Sequence, residues 1–179
     1  PIDSPALNVD PENDRITFRG KPVERERRRY ILLNKPAGYT CSARDRHAEQ
    51  PVFELVPDNL GRLFTVGRLD RESEGLLLLT NDGRLSQALT HPRNQVPKTY
   101  RVKVTGSVGE RDLQRMTRGI VDRGERLRAR SARIVRQGGR SATLELILTE
   151  GKKREVRRLC ARTGLKVRKL IRMRLGPLA

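Results

Sequence analysis

A chain of 179 residues fits one compact domain, or a domain with a small appendage, and is long enough to bury a core. Charged residues make up 34% of it, above the roughly 25% of an average globular protein, and 39 basic residues against 21 acidic ones leave a net charge of +18. A field of that sign points to nucleic acid as the partner, and no apolar run approaches the roughly 20 residues that a membrane helix needs. Cys41 and Cys160 lack metal-ligand spacing and fit reduced thiols, so a cytoplasmic location is expected. With only His47 and His91 present, a histidine-rich metal site is excluded, and His91, in Thr90-His91-Pro92, reads as a capping or packing residue.

In chain order, residues 1–22 are turn-rich around one short strand, Arg15 to Phe18, and residues 23–29 read as a charged linker. Tyr30 to Leu33 predicts a strand, ended by Asn34-Lys35-Pro36-Ala37-Gly38-Tyr39. Residues 44–50 read as polar loop, and Val52 to Val56 is ambiguous between helix and strand. Leu63 to Val66 predicts a strand, and the run Leu76 to Thr80 predicts a buried one. Between them lies Gly67-Arg68-Leu69-Asp70-Arg71-Glu72-Ser73-Glu74-Gly75, a dense charged loop anchored at both ends by core strands. The charges of Arg68 and Arg71 favour the ionised form of Asp70, which suits a nucleophile or base better than a general acid. A surface turn with a few weak ion pairs would produce a similar string.

Asn81-Asp82-Gly83 predicts a hairpin-type turn, followed by a short helix over residues 84–89. Lys98 to Val104 alternates cleanly, with Tyr100, Val102 and Val104 on the inward face and Arg101 and Lys103 outward. Glu110 to Gly119 predicts a helix with Leu113 and Met116 inward. Ala132 to Arg136 and Thr143 to Thr149 predict two strands joined at Gly138-Gly139. The last 29 residues carry eleven Lys or Arg and one acid, Glu155. Within them, Lys152 to Thr163 predicts a helix with Val156, Leu159, Cys160 and Thr163 in the core, and with Arg154, Arg158 and Arg162 on a stripe facing solvent or phosphates. Arg157 lies on the border of the buried face, where it can turn inward. Val167 to Arg174 predicts a strand with Ile171 and Met173 inward and Arg172 and Arg174 outward.

Two segments carry a family resemblance in combination. The first, GRLDRESEGLLLLTNDG from Gly67, resembles the catalytic signature of the pseudouridine synthases. The second, Glu150-Gly151-Lys152-Lys153-Arg154-Glu155-Val156-Arg157-Arg158-Leu159, resembles the E-G-x-x-x-[QE]-[VI]-[RK]-R-[ML] motif of the RsuA-type branch, in its RluB-like or RluE-like form. Glu155 stands where many relatives have glutamine. The Lys35-Pro36-Ala37-Gly38 turn and the Lys98-Thr99-Tyr100 segment are similar to further family motifs. The resemblance spans residues 30–176 and implies an α+β pseudouridine synthase fold, a largely antiparallel mixed sheet with flanking helices and a catalytic cleft. It implies Asp70 as the catalytic aspartate, Tyr100 stacked on the target base and Arg157 paired with Asp70. The Lys-Pro-x-Gly turn would support the active-site loop, and Leu170 would line the base pocket.

The resulting expectation is an enzyme that isomerises a specific uridine of ribosomal RNA, more readily of the large subunit, to pseudouridine, with the nucleotide flipped out of its RNA context. Arg68, Lys98, Arg154 and Arg158 are the candidate RNA-binding residues. No metal or organic cofactor is expected, the partner is ribosomal RNA and the chain is expected to act as a monomer. The resemblance also implies that residues 1–22 are the remnant of an S4-type RNA-binding domain, ahead of a catalytic domain over residues 30–179. Two rivals are weighed against this. A non-catalytic basic module binding ribosomal RNA explains the charge equally well but not the charged loop between core strands. A hydrolase using Asp70 as nucleophile lacks a paired carboxylate and a phosphate-cradling glycine loop.

Overall fold

The computed structural model describes residues 8–10, 13–23, 26–42 and 50–179. Parts of the amino-terminal segment, of the linker and nearly all of the polar loop at 44–50 therefore lie outside the described residues. Strands β1 (Thr17–Phe18) and β2 (Lys21–Pro22) form a small antiparallel hairpin. The main sheet has seven strands: β3 (Tyr30–Lys35), β4 (Phe64–Thr65), β5 (Glu74–Thr80), β6 (Lys98–Thr105), β9 (Ser131–Gln137), β10 (Ser141–Leu148) and β11 (Lys166–Leu175). Its order is β3-β5-β11-β6-β10-β9, with β4 beside β5. Every pairing is antiparallel except β5 with β11. A second hairpin, β7 (Ile120–Asp122) with β8 (Glu125–Leu127), stands apart from the sheet.

The leucines of β5 are buried on both faces, which is why the strand is a continuous apolar run rather than an alternating one. Leu77 and Leu79 join Val52, Leu63 and Leu69 in one core cluster, while Leu78 joins Val66 and Leu175 in another. The largest cluster joins β6, β10 and β11 to helices α2 (Glu110–Arg118) and α3 (Glu155–Arg162), through Val102, Val104, Leu144, Leu146, Met116 and Leu159 among others. Helix α1 (Gly83–Thr90) supplies Leu85 and Leu89 to the cluster around Leu78. No helix among the described residues is long and apolar enough to cross a membrane.

The edge of β5 explains where the molecule opens. Its amino-terminal end, Glu74-Gly75, pairs with β11, and its carboxy-terminal end, Leu79-Thr80, pairs with β4 on the same side. Between them no strand among the described residues pairs with β5, and the carbonyls of Leu76 and Leu78 are capped instead by the Arg172 Nε (2.7 Å) and the Val66 amide (2.8 Å). Gly75 is obligatory at this junction. It has φ +102°, and an added Cβ would stand 2.3 Å from the Arg172 carbonyl oxygen.

Four expectations are corrected. Asn81-Asp82-Gly83 is a helix start rather than a hairpin turn, since Asp82 caps α1 by accepting from the Leu85 amide at 3.1 Å. Its carboxyl is held below the usual range by that bond and by the Tyr30 hydroxyl at 2.9 Å. The strand expected over Leu63 to Val66 shrinks to two residues, and Val52–Leu55 is a short 3-10 helix. In β11, Arg172 points inward at 2% exposure, in phase with buried Leu170, whereas Ile171 and Met173 are only half-buried. A register shift between Arg172 and Arg174 then turns Leu175 inward. Lastly, the stripe of Arg154, Arg158 and Arg162 is interrupted at its middle, where Arg158 (15% exposed) closes on the β7–β8 hairpin, while Arg154 and Arg162 remain 46% and 52% exposed.

Candidate active site

The loop over residues 66–73 joins β4 to β5 and is fixed from beneath by Lys35. This lysine is fully buried (0% exposed) at the end of β3, and its Nζ donates to the carbonyls of Pro36 (2.8 Å), Arg71 (3.2 Å) and Ser73 (2.8 Å). An ammonium has three donors and here each meets an acceptor, which offsets the cost of burial. That burial lowers the lysine's pKa, opposed by nearby acids and Cys41. The Lys-Pro-x-Gly turn adds two more clasps, with the Gly38 amide donating to Arg71 O (2.8 Å) and the Arg71 Nε donating to Gly38 O (3.0 Å). A short turn, Ser73 N to Asp70 O at 2.9 Å, sets the direction of the Asp70 side chain. The amide of Leu69 donates to the Cys41 sulfur at 3.4 Å, tying the loop to a third segment.

Asp70, with 30% of its side chain exposed, faces two guanidinium groups. Arg157 Nε lies 3.6 Å and Arg154 Nη1 3.8 Å from its Oδ2. Both distances exceed a hydrogen bond, so the arginines hold the carboxylate by charge without fixing its lone pairs. Arg157 is 16% exposed, lies 4.0 Å from Glu72 and reaches the Ser73 hydroxyl at 3.5 Å, and its Nε is buried without a hydrogen-bond partner. Arg154 also approaches Glu72, at 3.5 Å, and stands at the head of α3 in a left-handed conformation, φ 53°.

A cleft of about 440 Å³ opens over this group, bordered by Arg68, Asp70, Lys98, Tyr100, Arg154 and Arg172. A recess of about 90 Å³ continues it toward Ser73, Leu170, Glu155 and Val156. Tyr100 packs against both large core clusters, and burial pushes its phenol pKa up, with the Arg172 guanidinium opposing. Arg172 lies opposite Tyr100 in the register of β11 and β6. Lys98, on the same face of β6, is buried; its Nζ donates to Val96 O at 3.1 Å, and its pKa is lowered by burial and then by Arg172.

The structure therefore gathers Asp70, Tyr100, Arg157, Arg68, Lys98, Arg154 and Leu170 around one cleft. It does not bring Arg158 there. That side chain closes on Asp122 Oδ2 and Glu125 Oε2, both at 2.5 Å, and on the Asp122 carbonyl at 2.7 Å, inside the α3–hairpin contact. Two residues lining the cleft or its recess, Glu155 and Arg172, were not singled out for this role from sequence, whereas the loop support expected of the Lys-Pro-x-Gly turn is supplied by its lysine, Lys35. Glu155 stood inside a quoted motif, and Lys35 in the Lys-Pro-x-Gly turn, so the positions were visible while their burial was not. For Arg172 the signal was its two-residue spacing from Leu170. Among the described residues no group of three or more His, Cys, Asp or Glu could hold a metal ion.

Residues 29–162 match the model of the RNA pseudouridylate synthase family. The chain belongs to that family. It is 41% identical over 178 residues to an uncharacterized RNA pseudouridine synthase of Aquifex aeolicus, covering 99% of this chain and 72% of that one. It is 35% identical over 162 residues to ribosomal large subunit pseudouridine synthase B of Bacillus subtilis, covering 89% of this chain and 66% of the relative. A crystal structure of a pseudouridylate synthase superposes with a TM-score of 0.75 at 31% identity, over 98% of this chain and 74% of that one. The α+β architecture expected from the resemblance is thus the pseudouridine synthase fold, and the chain is an RNA pseudouridine synthase, an isomerase.

Proposed function

We propose that this pseudouridine synthase acts on a uridine of large-subunit ribosomal RNA, with Asp70 as its catalytic carboxylate. The observation that carries the reading is the carboxylate held at the mouth of the cleft by Arg157 and Arg154, at 3.6 and 3.8 Å, on a loop clasped by buried Lys35. The class of RNA follows from relatives such as ribosomal large subunit pseudouridine synthase B of Bacillus subtilis.

In this reading the target nucleotide is flipped into the cleft, since its reacting atoms are inaccessible within stacked RNA. Tyr100 stacks on the base, and Arg68, exposed at the rim, contacts the RNA beside it. Lys98 and Arg154 add positive charge along the path of the backbone. Asp70 either adds to C1′ as the N1–C1′ bond breaks, and is displaced when C5 bonds to C1′, or takes a proton from the nucleotide and later returns it; in both cases the N1–C1′ bond breaks and the uracil turns. A bond then forms between C5 and C1′, the C5 proton leaves and N1 gains one, so substrate and product are isomers. No oxidant or reductant enters this balance. Arg157, 3.6 Å from Asp70 Oδ2, supplies the counter-charge beside the carboxylate throughout.

The test is tritium release from C5-labelled uridine in unmodified large- and small-subunit ribosomal RNA transcripts. Release confined to the large-subunit transcript, and lost in Asp70→Asn with RNA affinity intact, is expected. Release from neither transcript, with tight binding to both, would favour the non-catalytic binding module.

A further inference from the structure

Glu155 lines the recess beyond Asp70, as Glu150 also does, and its two oxygens are treated differently. Oε2 accepts from the Lys152 amide at 3.2 Å, and the Arg128 amide supports the same carboxyl. Oε1 is buried with no hydrogen-bond partner, although the residue as a whole is 4% exposed and lines the recess with Asp70, Tyr100 and Leu170. Anchoring the turn before α3 needs only Oε2. An orphaned buried oxygen is costly, and a native structure keeps one where something else will meet it.

Building on the base-binding role assigned above to this cleft, we propose that Glu155 reads the target base, its protonated carboxyl donating through Oε1 to a carbonyl oxygen of the uracil. With Oε2 accepting from the Lys152 amide, the proton belongs on Oε1, and a neutral acid then presents the same donor geometry as an amide. Burial raises the carboxyl's pKa, in the direction this requires. The groups facing it are Lys98 and Tyr100 of β6, Lys152 and Glu150 of the preceding segment, and the amide of Arg128. Burial and Glu150 favour the neutral form of the carboxyl, opposed by the Lys152 and Arg128 amides and by the Lys152 charge. A neutral uracil supplies carbonyl acceptors for such a donor, in a recess whose lining mixes apolar Leu69, Leu148 and Leu170 with charged Glu150 and Lys152.

The experiment compares wild type, Glu155→Gln and Glu155→Met in single-turnover C5-tritium release, with melting temperature and RNA dissociation constant recorded for each. Glu155→Gln keeps the amide acceptor for Lys152 and a donor at the Oε1 position, so it should stay within about threefold of wild type near neutral pH. Glu155→Met, of similar length but without polar atoms, should lose about tenfold to a hundredfold in rate with RNA affinity unchanged. As pH rises through the folded value of Glu155, the wild-type rate should fall while Glu155→Gln stays level, because the amide has no proton to lose. This pair decides the matter even where Glu155→Met fails to fold. Glu155→Gln falling as far as Glu155→Met would overturn the donor in favour of an anionic acceptor. A wild-type rate in Glu155→Met, or coincident pH profiles for wild type and Glu155→Gln, would reduce Glu155 to a structural anchor. Wild type showing no Asp70-dependent release is a separate failure, which removes the isomerase reading and this one with it.

Discussion

Arginines of α3 and its cap meet carboxylates on two sides of the helix. On one side Arg158 and Arg162 close on Asp122 at 2.5 and 2.7 Å, with Glu125 also at 2.5 Å from Arg158. On the other, Arg154 and Arg157 stand 3.5 to 4.0 Å from Asp70 and Glu72. The first cluster has directed hydrogen bonds and locks a hairpin to a helix. The second holds like-signed groups near one another at ion-pair range, with a buried guanidinium nitrogen left without a hydrogen-bond partner. Satisfied charges stabilise, whereas a pair kept loose retains capacity for a ligand. One helix thus serves both fold and cleft, and the difference lies in how completely each arginine is used.

Among changes around the Asp70 carboxylate rather than at it, breaking the support of the loose cluster should have the largest effect. Lys35→Met removes the donor from three carbonyls and should cost about 3 kcal/mol in stability, with release reduced more than about tenfold as the Asp70 loop shifts; urea unfolding and isotope release measure both. Arg157→Lys keeps the charge but loses the planar group that spans Asp70 and Ser73. It should lower the rate by about tenfold while leaving the melting temperature unchanged. A drop in melting temperature with a normal rate would place Arg157 with the tight cluster instead.

Asp122→Asn should do the converse and leave release intact. Hydrogen bonds from Arg158 and then Arg162 hold the Asp122 carboxyl below its usual range. The folded state therefore binds that proton less readily than the unfolded chain, so the stabilisation is present above the ordinary carboxylate range and lost as pH falls through it. A melting-temperature profile against pH should fall less steeply on the acid side in Asp122→Asn than in wild type. The smallest effect is expected from Arg154→Gln, an exposed change. It should weaken RNA binding modestly and reduce the slope of log affinity against log salt by about one.

Much of this division was legible from residues alone. The Asp70 loop was bounded by two glycines and an apolar strand, and the alternation of β6 placed Tyr100 on the inner face. Arg157 could be set on the border of the helix face by angle alone. The partner of Arg158 could not, because Asp122 lies 36 residues away in a short hairpin whose turn was not read as one. The inward turn of Arg172 was hidden for a different reason. Apolar Ile171 and Met173 suggested the buried face, but they lie half-buried on the opposite one, and the burial of Arg172 rests on its Nε meeting the Leu76 carbonyl at 2.7 Å, a partner that alternation does not reveal. Lys35 reads as a surface residue, and only three converging carbonyls explain its burial.

The most direct measurement is single-turnover C5-tritium release by Asp70→Asn, an isosteric change that removes the charge held by Arg154 and Arg157. The account predicts a loss on the order of 10³-fold or more, with the melting temperature and RNA affinity of wild type. Release at the wild-type rate from a folded, RNA-binding Asp70→Asn protein would contradict it.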